Sequence, residues 1–131
     1  MKQITIALLS IVILANAAHG DEPIHLGAIF SLSGFGVAGK EELNGLEMAR
    51  EEINQAGGIG GKQVHLIVED NRSDLKGAAA AFQKLANFDK VPVVIGPNWA
   101  EFTEVVAPLA DALRLPTVAP AGWKKGLLIK H

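Results

Sequence analysis

Apolar and polar positions fall into alternating blocks along this chain. Ile24 to Phe30 (IHLGAIF) is mostly apolar and runs into a Ser/Gly loop, which predicts a buried strand. Residues 39–56 then carry apolar side chains at Leu43, Leu46, Ala49 and Ile53. Those steps of three and four line one helical face, with Glu47 and Arg50 on the wet side. GGIGG (57–61) ends this helix, because glycine takes the left-handed cap without strain. Residues 63–69 (QVHLIVE) predict a second strand, and Ser73 or Asp74 an N-cap. Residues 75–88 predict an alanine-rich helix whose buried stripe is Leu75, Ala78, Ala79, Phe82, Leu85 and Ala86. Val91 to Ile95 reads as a short buried strand, followed by a Gly96-Pro97 turn. Asn98, with Glu101 three residues on, resembles a capping box for a helix running to Arg114. Pro108 should bend or split that helix, and Thr117 to Ala119 should form a fourth strand.

The order β-α-β-α-β-α-β predicts an α/β fold: a Rossmann-like, three-layer open parallel sheet with helices on both faces and right-handed crossovers. Such a sheet carries its functional loops at the carboxyl ends of the strands. Here those loops are Ser31–Gly39, Glu69–Asp74, Gly96–Ala100 and Pro120–Trp123.

The first twenty residues lie outside this pattern. Lys2 precedes an apolar core from Ile4 to Leu14, and Ala15-Asn16-Ala17 or Ala18-His19-Gly20 supplies a small-residue cleavage site. Residues 1–20 therefore read as a secretory signal peptide. The apolar core is shorter than the roughly 20 residues of a membrane span, so no stable membrane insertion is expected after cleavage. The mature chain is expected to start near Ala18 or Asp21 and to work in the periplasm. Formal charge is −2, without a basic block, which argues against nucleic acid as a partner. Cysteine is absent from the sequence, which excludes disulfides, thiolate metal sites and cysteine nucleophiles.

Gly34-x-Gly36-x-x-Gly39 has the spacing of a dinucleotide-binding loop. Three features oppose that reading. Ser31-Leu32-Ser33 separate the strand from the first glycine, the acidic strand end at Glu69/Asp70 comes too late, and the chain carries an export signal. A loop that lets a ligand approach its backbone is the stronger interpretation. GGIGGK lacks phosphate-loop spacing and precedes a strand. His19, His25, His65 and His131 form no metal-ligand motif, and His25 and His65 read as strand histidines at a sheet face. Ser33 has no nucleophile elbow around it. Asp70, Asn71 and Asp74 lack the pattern of a calcium loop and read as turn and cap residues. No catalytic residue, metal or cofactor is expected, and the chain does not read as an enzyme.

Gly45, Ala49, Ile53, Asn54, Gly57, Gly58, Ile59 and Gly61 match a G-x-x-x-A-x-x-x-I-N-x-x-G-G-I-x-G pattern. Together with the Ser-Gly loop, VPVVIGP and VAPLADALRLPTVAPAG, this resembles bacterial periplasmic solute-binding proteins of the branched-chain amino acid type, from about Ile24 to Gly122. The resemblance implies the amino-terminal lobe of a type I periplasmic binding fold and capture of a small solute for the permease subunits of an ABC importer. A ligand-sensing module with the same fold is the alternative, and a dinucleotide-dependent oxidoreductase a more distant one. The family's contacts map onto Ser33, Gly34, Asn98, Trp99, Ala100, Ala121, Gly122 and Trp123. Two hydroxyls that the family places near Ala100 and at Trp123 are missing, and the aromatic of the first loop is absent. Those departures point toward an aromatic, amide-like or otherwise different carboxylate. Trp99 and Trp123 could stack on a flat solute or pack under helix ends.

Residues 21–123 are accordingly expected to form an incomplete solute-binding lobe, with 124–131 an irregular tail that departs from the family and suggests truncation. A lobe without its partner is expected to bind weakly.

Overall fold

The computed structural model describes residues 22–34 and 37–120. The expected signal peptide, Phe35, Gly36, Ala121, Gly122, Trp123 and the tail lie outside the described residues.

Four parallel strands form one sheet: β1 (Ile24–Phe30), β2 (Val64–Asp70), β3 (Val94–Ile95) and β4 (Thr117–Val118), in the spatial order β2-β1-β3-β4. The crossovers contain α1 (Val37–Gln55), α2 (Leu75–Gln83, extended by one π turn at Lys84–Phe88) and α3 (Ala100–Leu113). Ile24 pairs with Val64 and Phe30 with Asp70, so β1 and β2 run in register over their full length. The α/β open parallel sheet expected from the block pattern is present.

Alternation along β1 sends Ile29 to one face and Ala28 and Phe30 to the other. On the Ile29 face, Ala78, Ala81, Phe82 and Leu85 of α2 meet Val91, Val94, and Phe102 and Val106 of α3 in one buried cluster. Steps of three and four along α2 put this set on one stripe. The stripe differs from expectation: Ala81 belongs to it, while Leu75, in the exposed first turn, does not. The other face belongs to α1. There Leu43 and Leu46 are only half-buried, and Ala49 and Ile53 are exposed.

Local chemistry closes most helix ends. Gly57, with φ of 100°, donates to the Asn54 carbonyl, and Gly58 to that of Ile53, which ends α1 as the glycine cluster predicts. Asp74 caps α2 by accepting from the Gly77 N–H at 3.0 Å. Three expectations change. The helix 75–88 widens into a π turn after Gln83. The third strand shrinks to Val94–Ile95, because Pro92 has no N–H to give a ladder. Pro108 sits inside one continuous helix, on its exposed side.

Candidate functional site

α1 carries the chain from β1 outward to β2, and α3 carries it from β3 outward to β4. The loops after the adjacent strands β1 and β3 therefore diverge to opposite faces of the sheet. Their parting makes the carboxyl edge between β1 and β3 a topological switch point, where ligands of open α/β sheets bind.

Polar side chains hold this edge together. Ser31 is fully buried at the end of β1. Its N–H donates to Asn98 Oδ1 of the third loop at 3.0 Å, and its hydroxyl to Asn71 Oδ1 of the second at 2.9 Å. One residue thus joins all three loops. The Nδ2 groups of Asn71 and Asn98 are buried without a hydrogen-bond partner among the described residues.

A second set of bonds lies above it. Asp70 Oδ1 accepts from the N–H groups of Leu32 at 3.0 Å, Ser33 at 3.3 Å and Arg72 at 2.8 Å, and Oδ2 accepts from the Ser33 hydroxyl at 2.7 Å. Partial burial would raise the Asp70 carboxyl. The Ser33 hydroxyl and the three N–H donors outweigh it and hold the group below the usual carboxylate range. Ser73 Oγ donates to the Ser33 carbonyl at 2.7 Å. Arg72 and Ser73 both take left-handed φ, of 57° and 54°. Their N–H groups bond the Asp70 and Asn71 side chains two residues back, which offsets that strain. Gly34 (φ 71°) is needed here, because an added Cβ would lie 2.8 Å from Ser73 Oγ. Gly39 lets α1 start against β1, since a Cβ there would lie 2.1 Å from the Ser31 carbonyl oxygen.

The third loop has a different character. Trp99 has extended backbone, stands 40% exposed and takes the N-cap position of α3. No side chain caps this helix, so the expected capping box at Asn98 and Glu101 is not formed: Asn98 Oδ1 is committed to Ser31 instead. Ala100 opens the helix, and its first-turn N–H groups make that end favourable to an anion. Burial raises the nearby Glu42 carboxyl, with the Asn98 side chain working against the shift.

The site residues read from sequence divide accordingly. Ser33 and Gly34 are exposed on the first loop; Trp99 and Ala100 stand at the third. Asn98 lies beneath them, buried. Ala121, Gly122 and Trp123 lie outside the described residues. Sequence reasoning placed Ser31, Asp70, Asn71 and Ser73 in the loops of this edge but gave none of them a part in tying it together. Their local pattern signals only a turn; the bonds that matter span 37 to 67 positions along the chain. A cavity of about 360 Å³ lies at the opposite end of the strands, between Ala86 and Pro116, away from these loops.

The family model for periplasmic binding proteins matches residues 23–127. The Leu/Ile/Val-binding protein BraC3 of Rhizobium johnstonii is 33% identical over 97% of this chain and 35% of its own length. The branched-chain amino acid transporter substrate binding protein LivJ of Streptococcus pneumoniae, solved with isoleucine, superposes with a TM-score of 0.76 at 34% identity, covering 80% of this chain and 30% of that one. A solute binding protein of an ABC transporter from Rhodopseudomonas palustris, solved with 3,4-dihydroxy benzoic acid, reaches 0.66 at 25% identity, covering 76% and 27%. The chain spans about a third of the length of the curated relative it matches over nearly all its residues.

Proposed function

The chain belongs to the periplasmic binding protein family, and from that membership we propose that it forms the amino-terminal lobe of an extracytoplasmic solute receptor. The receptor captures an amino acid or a similar small carboxylate or amide and delivers it to the permease subunits of an ABC importer. Residues 21–123 constitute the lobe, and residues 1–20 direct it to the periplasm.

The observation that carries this reading is the switch point between β1 and β3, whose loops are tied together by Ser31, Asn71 and Asn98. The site is assigned to Ser33 and Gly34 on one side and Trp99 and Ala100 on the other, with Ala121, Gly122 and Trp123 completing it from the fourth loop. Asn98 supports these loops from below. The helix N-terminus at Ala100 receives the carboxylate, and Trp99 offers a flat wall. The isoleucine held by the pneumococcal relative and the 3,4-dihydroxy benzoic acid held by the Rhodopseudomonas one define the range of solutes to try.

Titrating the chain with isoleucine, leucine, valine and 3,4-dihydroxybenzoate, followed by backbone amide NMR, tests the reading. Saturable shifts at Ser33, Gly34 and Trp99 are expected for at least one solute. No site-localised response to any of them would sink it.

A further inference from the structure

We propose that His25 and His65 form a binding site for one divalent transition-metal ion, at the end of the sheet away from the solute loops. The two residues hold the second positions of β1 and β2 and stand opposite each other in the parallel register. Alternation puts His25 on the same face as Ile29, and Ile67, two residues beyond His65, packs against the cluster on that face. Both histidines therefore project from one surface of the sheet, and both are exposed. Their ring centroids lie 5.7 Å apart, with the planes at 78°.

Metal geometry sets a window for that distance. A zinc–nitrogen bond of about 2.0–2.1 Å, with about 1.1 Å from ring nitrogen to centroid, puts the ion about 3.2 Å from each centroid. Two imidazoles on one tetrahedral ion then have centroids about 5.2 Å apart, and on a straight nitrogen–metal–nitrogen line about 6.4 Å apart. The observed 5.7 Å falls inside the window. The strand register fixes both backbones, so only the rings have to turn. The outer torsion of a histidine is broad, and an exposed ring turns about it at little cost.

Among the described residues no third histidine, cysteine or carboxylate completes a cluster with the pair. The remaining coordination positions go to water, which makes the site open and its ion exchangeable. Imidazole nitrogen selects the ion: copper(II), nickel(II) and zinc accept it, whereas magnesium and calcium prefer oxygen. A bound ion cross-links the edge strand β2 to the interior strand β1 near their amino ends. At about 3.3 Å of rise per residue, it lies about 16 Å from the Phe30 and Asp70 ends, clear of the solute edge. No sequence motif announces the pair, because α1 and the glycine turn separate its members along the chain.

The experiment titrates the full chain with zinc chloride and follows the histidine ring signals by NMR. The His25 and His65 signals are expected to move together along one saturating curve, at one zinc per pair, with no response to magnesium. His25→Gln and His65→Gln should each weaken zinc binding at the remaining ring about tenfold, because the second ligand of a chelate acts at a high effective concentration. Saturating zinc should also raise the urea midpoint of the unaltered chain more than that of either variant, since an ion bound only by the folded state stabilises it. One zinc per ring in the unaltered chain, or an affinity at one ring that is indifferent to loss of the other, overturns the proposal. So does the absence of any response at the two rings. None of these outcomes touches the solute reading, which rests on the other end of the strands.

Discussion

The two faces of the sheet are closed by different means. On the Ile29 face, α2 and α3 pack against strands and against each other, and Phe82, Leu85, Val94 and Val106 are fully buried. On the other face α1 contributes no fully buried apolar side chain among its described residues; Met48 is 63% exposed, and Val118 of β4 is 60% exposed. Polar pins do the holding there. Asn54 uses its whole amide on β2, donating to the Val64 carbonyl at 2.8 Å and accepting the Val64 N–H at 2.7 Å, so the side chain imitates one more strand residue. Gly39 fixes the other end of α1 by close approach to Ser31. The difference teaches that a helix with an amphipathic pattern need not be held by it. A polar anchor at one end and a close backbone approach at the other can set its place while the stripe between them stays half-wet.

Substitutions on the two faces should separate these mechanisms. Phe82→Ala, in the dense cluster, is expected to cost about 3–5 kcal/mol in urea unfolding, through lost burial and a cavity. A cost near 1 kcal/mol would break the contrast. Asn54→Ala removes both bonds to Val64 and leaves that buried backbone unpaired, so a loss of about 2 kcal/mol is expected. Leu46→Ala, at the centre of the α1 stripe, should cost about 1 kcal/mol, less than the Asn54 change, because a half-buried leucine gives up only part of its transfer energy. The reverse order would show that the stripe, and not the anchor, holds α1.

A pH series sharpens the same point. The folded-state pKa of Asp70 lies below its unfolded value. Its stabilisation is thus fully present above the unfolded pKa and is lost as pH falls through the folded one. Stability measured by urea unfolding should decline modestly below the ordinary carboxylate range, and Asp70→Asn should flatten that part of the decline. The smallest effect is expected at Met48→Gln, within about 0.5 kcal/mol, since the side chain is mostly in water.

The legible parts of this fold were those written in short-range pattern. Ile24–Phe30 was readable as a strand because a mostly apolar run leads into a Ser-Gly loop, and the end of α1 because glycine takes the left-handed cap at Gly57 without strain. Asp74 was readable as a cap because the bond it makes is three residues long. Asn98 failed as a cap for the opposite reason. The nearby N–H groups it could have served compete with Ser31, which the fold brings beside it from 67 positions away.

The sequence by itself determined the alternation of strand and helix, the parallel sheet and the edge on which a ligand site would lie. Each of these follows from local periodicity and from the handedness of crossovers. Only the tertiary structure decided which side chains tie the edge together, and that α1 is pinned by its ends. It alone turned Asp70 from a turn residue into the acceptor of the Ser33 proton. A hydrogen bond needs a donor and an acceptor within about 3 Å, and for Ser31, Ser33, Asp70 and Asn98 the chain supplies each partner from a different strand end.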